Sequence, residues 1–360
     1  MDPRKQQGID ALNQEFRRYE QVEKDQVYRL TENTAEAFDE DYRIRVCDMA
    51  QYFDGDDAGK AAFARHLGEA MEEIGFVILV NHGIDPALHA RAEADVVRFF
   101  EEIPEAAREQ FLASRHGSVN QGYFPIAETT IIHPDLVKGW VFCRRAFDLD
   151  GNPDFDPLAF WPDPAYERSF RELVAATEPL ILPIMQSILR YLGCDPHHYD
   201  ERLTGTNFGL RLNYYPAGDP AAPPAGGRML GHEDVDLFTF LPAPSVEGLQ
   251  VLRRDTQQWV RLDAPPGSIV LNTGDYMQRI TNDRLPSTTH RVAQPRQPIE
   301  APRVSVPMAI YVWEDEILEV LPGLGEPRYP PIRAETFHTR ITSKYYGDDY
   351  ADNAQPEGSA

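Results

Sequence analysis

The chain has 360 residues, enough to bury a large core, and its 42% hydrophobic and 26% charged content is a globular composition that excludes whole-chain disorder. A formal charge of −23 opposes binding to phosphate backbones and anionic lipid, which associate mainly through Lys and Arg, so neither nucleic acid nor membrane is expected as a partner. The three cysteines, Cys47, Cys143 and Cys194, are far apart and lack CxxC spacing, which signals neither a disulfide framework nor a zinc site and suits a reducing cytoplasm.

The opening MDPRKQQGID lacks the apolar stretch of a secretory signal. Residues 1–41 are polar and read as an arm or cap, with a helix expected around 10–23. From Arg43 the pattern becomes structured: an apolar segment at 44–49, an amphipathic helix at 59–74, and a strand at 75–80 ending in Asn81-His82-Gly83. A second helix is expected at 86–101 and a third at 164–192, interrupted or kinked at Pro179 and Pro183. Residues 42–200 thus form a helical, mixed first portion.

After Asp200 the text changes to short β-rich runs punctuated by Gly, Pro, Asp and Asn. Strands are expected at 208–215, 229–233, 237–241, 249–253, 259–262, 268–272, 288–292 and 304–313. Eight such segments fill a two-sheet jelly roll, placed at 201–316. Turns are expected at 255–257 and 263–267, and a Pro/Gly/Ala loop at 217–227. A C-terminal segment, 317–360, follows, ending in an acidic tail from Asp348. The expected fold is therefore mainly β with flanking helices.

Within the β-rich half lies Gly231-His232-Glu233-Asp234-Val235-Asp236, followed by His290. If 232–234 is extended, the two-residue period puts His232 and Asp234 on one face, able to converge on one ion. A second histidine from another strand completes a two-His-one-carboxylate face, which binds octahedral iron(II) and leaves positions open. The blander alternative makes His232 a strand end, Asp234 a turn former and His290 a core histidine. Thirteen residues beyond His290, Arg303 and Ser305 share a face and can grip one carboxylate together. Asn213 and Tyr215 likewise face one way and can add hydrogen bonds to that ligand. Gly75-Phe76 leading to Asn81-His82-Gly83 is a further marker.

On these segments (GF…NHG, LRLNYYP, GHEDVDLFTFL, GLQVLRRDTQQWVRL, PGSIVLNTGDYMQRITNDRLPSTTHRV and RVSV) residues 43–313 resemble the isopenicillin N synthase-like family of 2-oxoglutarate/iron(II) oxygenases. The resemblance implies a double-stranded β-helix, with a helical N-terminal portion packed on it. It implies iron ligands His232, Asp234 and His290, a carboxylate clamp of Arg303 and Ser305, and helpers Asn213 and Tyr215. The implied cofactor is Fe(II), and the co-substrates are 2-oxoglutarate and O2. The implied reaction oxidises a small-molecule substrate by hydroxylation, desaturation or cyclisation, releasing succinate and CO2. Halogenation is disfavoured, because related halogenases replace the carboxylate that Asp234 retains here.

His82 is structural on this reading, and Glu233 and Asp236 are expected to point away from the metal, solvated or hydrogen-bonded. Arg211 shares a face with Asn213 and Tyr215, which makes it a candidate substrate residue; the alternative is an internal salt bridge or a place outside the sheet. Lys138, Arg144 and Arg145 form either an anionic-substrate patch or plain surface. Two other functions compete: an oxidase of the same family that consumes no 2-oxoglutarate, and a non-catalytic jelly-roll binding protein stabilised by a metal. A monomer or homodimer is expected.

Overall fold

The computed structural model describes residues 15–18, 23–27, 38–116, 119–125, 137–217, 229–293 and 301–346. Most of the arm at 1–41, the loop at 217–227 but for Ala217, and the tail from Asp348 lie outside them. The helix expected at 10–23 is not what forms: β1 (Glu15–Arg18) pairs antiparallel with β2 (Glu23–Val27).

The first portion then runs β3 (Val46–Asp48), α1 (Asp57–Ile74), β4 (Phe76–Val80), α2 (Pro86–Glu102), β5 (Ser114–His116), β6 (Val119–Phe124), β7 (Lys138–Cys143), α3 (Pro164–Thr177) and α4 (Ile181–Leu192). Helix starts follow local chemistry. Asp56, Asp85 and Asp163 each cap a helix N-terminus through a side-chain oxygen, and Pro86 and Pro164 occupy first-turn positions where no N–H is needed. α1 ends at Gly75, whose φ of 74° is left-handed and whose missing Cβ would meet the Pro286 carbonyl at 2.5 Å. Pro179 breaks the third expected helix into α3, a single 3₁₀ turn (Glu178–Leu180) and α4. By length and hydropathy Pro164–Leu192 would suffice to cross a membrane, but Phe170, Leu173, Ile184 and Ile188 of this stretch are fully buried core residues.

The second half contributes β8 (Asn207–Tyr215), β9 (Met229–His232), β10 (Phe238–Pro242), β11 (Leu249–Leu252), β12 (Trp259–Arg261), β13 (Ile269–Thr273), α5 (Asp275–Ile280), β14 (His290–Val292), β15 (Arg303–Ser305), β16 (Met308–Tyr311) and α6 (Ala334–Tyr346). They form two sheets. The large one has ten strands in the order β3-β4-β13-β10-β16-β8-β7-β6-β5, with β15 also on β8; the small one is β12-β11-β14-β9. The strand expected at 304–313 is split into β15 and β16 at Pro307, which has no N–H to give the ladder. Both pieces keep one register on β8, since Arg303 opposes Tyr215 and Met308 opposes Leu210.

Alternation sorts the side chains. From β8, Phe208, Leu210 and Leu212 join the core under the helices, as do Phe238 and Phe240 of β10 and Ile269 and Leu271 of β13. The intervening residues face the small sheet. There Phe76, Ile78 and Val270 meet Leu249, Val251, Val260 and Leu262 in a second apolar cluster. Strands buried on both faces explain the nearly unbroken apolar runs, and the gap between the sheets holds the site.

Candidate metal centre

His232 closes β9 and His290 opens β14, and the two are directly paired in the small sheet. Their rings stand 4.3 Å apart. Beyond His232 the strand ends, so Asp234 reaches the same point from a bend rather than by strand alternation. Its Oδ1 lies 3.7 Å from His232 Nε2 and 3.8 Å from His290 Nε2. One donor atom from each residue falls within 4.8 Å of the other two.

Each ligand is oriented from behind. His290 Nδ1 is 3.1 Å from the Thr288 carbonyl, which can only accept, so the proton sits on Nδ1 and the Nε2 lone pair faces Asp234. Asp234 Oδ2 accepts from Thr239 Oγ1 and Asn272 Nδ2, both at 2.8 Å, leaving Oδ1 for a metal. Thr239 and Asn272 are opposed residues of the β10–β13 ladder, which is why two polar groups emerge side by side. Burial pushes the Asp234 carboxyl up, but His290, His232, Asn272 and Thr239 overcome this and hold it below its ordinary value.

Asp236 stands outside the ligand set and is hydrogen-bonded, one of the two states expected of it. It is fully buried, and its Oδ2 lies 2.6 Å from Thr239 Oγ1. Burial, then the charge of Asp234, drives this carboxyl well above its usual range, so it stays protonated. One hydroxyl hydrogen cannot serve two carboxylates. Asp236 therefore donates to Thr239, and Thr239 donates to Asp234. Glu233 is also buried, accepting from Thr289 Oγ1 at 3.1 Å rather than meeting solvent.

A cavity of about 240 Å³ joins this triad to Arg211, Asn213, Tyr215, Arg303 and Ser305. Arg303 is only 1% exposed. Its Nε donates to the Val246 carbonyl at 3.1 Å, its guanidinium lies 4.9 Å from the Tyr215 ring, and its Nη1 has no hydrogen-bond partner among the described residues. Burial lowers the pKa of this guanidinium, which Tyr215 partly offsets. A buried, incompletely bonded cation calls for an anion. Ser305 Oγ accepts from Asn213 Nδ2 at 3.3 Å, so its own hydrogen is available, whereas Asn213 is tied on both sides because its Oδ1 accepts from Arg211 Nε.

The donor set fits iron(II). It has two imidazole nitrogens and one carboxylate oxygen rather than the four protein ligands of a structural zinc, and the adjoining cavity leaves room for further ligands. The Arg303 cradle fits a dicarboxylate in the same way.

The other candidates fall outside this cavity. His82 donates from Nε2 to the Gly267 carbonyl and accepts at Nδ1 from the Ile84 N–H, a structural arrangement. Arg144 pairs with Glu178, Lys138 pairs with Glu105, and Arg145 stacks over Phe160. Conversely, α6 supplies His338 and Thr342 to the cavity wall, which sequence reasoning missed. His338 lies 3.2 Å from the Tyr276 hydroxyl, and burial, with Arg115 nearby, lowers its pKa to about 3.

Comparison with known proteins gives two family matches: the 2OG-Fe(II) oxygenase superfamily over residues 206–310, and the N-terminal region of the non-haem dioxygenase in morphine synthesis over residues 44–164. Among curated proteins, the chain is 30% identical over 242 residues to the 2-oxoglutarate-dependent dioxygenase citB of Monascus ruber, covering 62% of this chain and 71% of that one. It is 28% identical over 277 residues to the 2-oxoglutarate-Fe(II) type oxidoreductase ppzD of Metarhizium majus, covering 70% and 79%. Among solved structures, a full-length Neurospora crassa protein in complex with alpha-KG and thymine superposes with a TM-score of 0.73 at 22% identity, covering 88% of this chain and all of that one.

Proposed function

The chain belongs to the 2-oxoglutarate/iron(II) oxygenase superfamily and is a 2-oxoglutarate-dependent dioxygenase; from that premise we propose that it oxidises a small organic molecule held beside His232, Asp234 and His290. The observation that carries the assignment of residues is the buried Arg303 Nη1, without a partner among the described residues, opening on the same cavity as three converging ligand atoms.

Iron(II), when bound, supplies the redox chemistry that couples O2 and 2-oxoglutarate to oxidation of substrate. For hydroxylation the balance is substrate C–H, O2 and 2-oxoglutarate giving substrate C–OH, succinate and CO2; desaturation and ring closure instead remove two hydrogens from the substrate, and the oxygen atom that hydroxylation inserts leaves as water. The protein's part is positional. The Thr288 carbonyl holds His290 in the tautomer that presents Nε2. Thr239 and Asn272 fix the plane of Asp234. Arg303 and Ser305, with Tyr215 alongside, receive the carboxylate of 2-oxoglutarate remote from the metal. Phe76, Val119, Phe124 and Leu241 exclude water around the reacting atoms. A cavity of this size suits a small molecule better than a polymer, and the three free thiols support a reducing compartment such as the cytoplasm.

The test is succinate formation from 2-oxoglutarate under air with iron(II) and ascorbate. Wild type should form succinate slowly even without its substrate, and His232→Ala should form none. Full turnover by His232→Ala would refute the ligand assignment.

A further inference from the structure

Building on the oxygenase reading above, we infer that Arg211 is the docking point for a carboxylate on the substrate, so that the enzyme acts on a small organic acid. Along the inner face of β8 the order is Tyr215, Asn213, Arg211. Arg303 pairs with Tyr215, whereas Arg211 sits four residues away, roughly 13 Å along an extended strand. The cavity therefore has a cation at each end of this face, and Arg211 and Arg303 are its two Arg or Lys lining residues.

The guanidinium of Arg211 is built in rather than loose. Its Nε donates to Asn213 Oδ1 at 2.8 Å, and its plane lies 5.5 Å from the Phe124 ring centre. Across the ladder, Gly139 of β7 leaves the space it occupies: a Cβ there would come within 3.1 Å of Nη2. Among the described residues no carboxylate pairs with it, and neither Nη has a hydrogen-bond partner. Arg211 is half-buried, so both nitrogens remain open to a ligand.

The wall around this group is apolar and aromatic, with Phe124, Val119 and Val141 on neighbouring strands. One guanidinium in an apolar wall suits a monoanion: it can hold a carboxylate in a two-point grip while the ligand's body rests on Phe124. Asn213 also ties Arg211 to Ser305, so the docking point has a fixed offset from the 2-oxoglutarate clamp.

The test uses protein loaded with Mn(II), which holds the site without turnover, and 2-oxoglutarate. Benzoate, phenylacetate and 3-phenylpropionate are titrated calorimetrically, each against its primary amide. At least one acid should bind wild type about tenfold or more tighter than its amide, the worth of a charge-assisted hydrogen bond. Arg211→Gln should abolish that preference and Arg211→Lys should keep part of it, both with 2-oxoglutarate affinity unchanged. Circular dichroism of the variants verifies folding. The inference is overturned if no acid is preferred by wild type, or if Arg211→Gln keeps the preference. It is also overturned if Arg211→Gln loses 2-oxoglutarate affinity instead, which would assign the arginine to the co-substrate. Failure of wild type to bind Mn(II) and 2-oxoglutarate at all would sink the oxygenase reading itself.

Discussion

Replacing Thr239 by Val keeps the shape of the side chain and removes one hydroxyl, which stands between two carboxyl groups. That hydroxyl is one of two donors to Asp234 Oδ2, the other being Asn272 Nδ2 at the same 2.8 Å. A hydrogen bond to a charged group contributes about 1.5–3 kcal/mol, and removing such an orienting partner typically weakens metal binding about 10–100-fold. Because Asn272 still holds the carboxylate, we place the expected loss at the lower end, about tenfold. The Asp236 proton, now without its acceptor, is left buried and unsatisfied, so thermal stability should fall as well. Thr239→Ser restores the hydroxyl and should recover both properties. The assay is Mn(II) titration followed by calorimetry, with melting temperature measured on the same samples without metal. Metal affinity in Thr239→Val within about twofold of wild type would refute the argument, since it would mean that Asp234 needs no help from this side.

Arg303→Gln should raise the 2-oxoglutarate requirement about 10–100-fold, from a charge-assisted bond of about 1.5–3 kcal/mol, while Mn(II) affinity stays the same; an unchanged 2-oxoglutarate dependence of succinate release would place the carboxylate elsewhere. Gly274→Ala should cost both stability and metal affinity, because a Cβ there would lie 2.1 Å from Asp236 Oδ1 and 2.7 Å from the Asp234 carbonyl oxygen; melting and Mn(II) titration that match wild type would show that the bend can yield. His89 is buried with neither ring nitrogen bonded among the described residues, so His89→Leu should stabilise the protein by about 1–3 kcal/mol in urea denaturation. Burial lowers the His89 pKa from 6.5 to about 4. On acidification the unfolded chain therefore takes up this proton first, so the histidine's share of stability is full above pH 6.5 and drains away toward pH 4. The acid limb of the stability curve should be shallower in His89→Leu, and an unchanged limb would show that His89 does not titrate in this way.

The residues that were legible in the sequence owe it to strand period. Arg303 with Ser305, and Asn213 with Tyr215, sit two apart on strands whose alternate residues enter the core, so their common face could be read without coordinates. Thr239 and Asn272 carried a signal that went unused. Thr239 is the polar exception in the apolar run LFTFLP, and Asn272 is one of two polar residues that follow the apolar start of IVLNT; a strand buried on both faces hides a polar group only if it has a partner. His338 and Thr342 had no local marker. They reach the cavity through the docking of α6, which depends on contacts such as Tyr276 with Phe337 and the Ala334 carbonyl.

The two sheets contribute unequal parts to the metal centre, and this has a consequence for folding. Both imidazoles come from the small sheet, through the paired His232 and His290. The groups that orient the carboxylate, Thr239 and Asn272, and the proposed co-substrate residues Arg303 and Ser305 come from the large sheet. The sheets are otherwise joined near the site by apolar contacts such as Phe76 against the His290 ring at 5.4 Å. A complete ligand set therefore exists only when the sheets are docked, and metal binding must favour the docked state by linkage. Mn(II) at about 100 times its Kd should stabilise wild type by about 2.7 kcal/mol. Thr239→Val, bound at the same concentration with about tenfold weaker affinity, should lose about 1.3 kcal/mol of that increment beyond whatever it loses without metal. An increment identical in the two proteins would show that the centre assembles within one sheet, independently of the other.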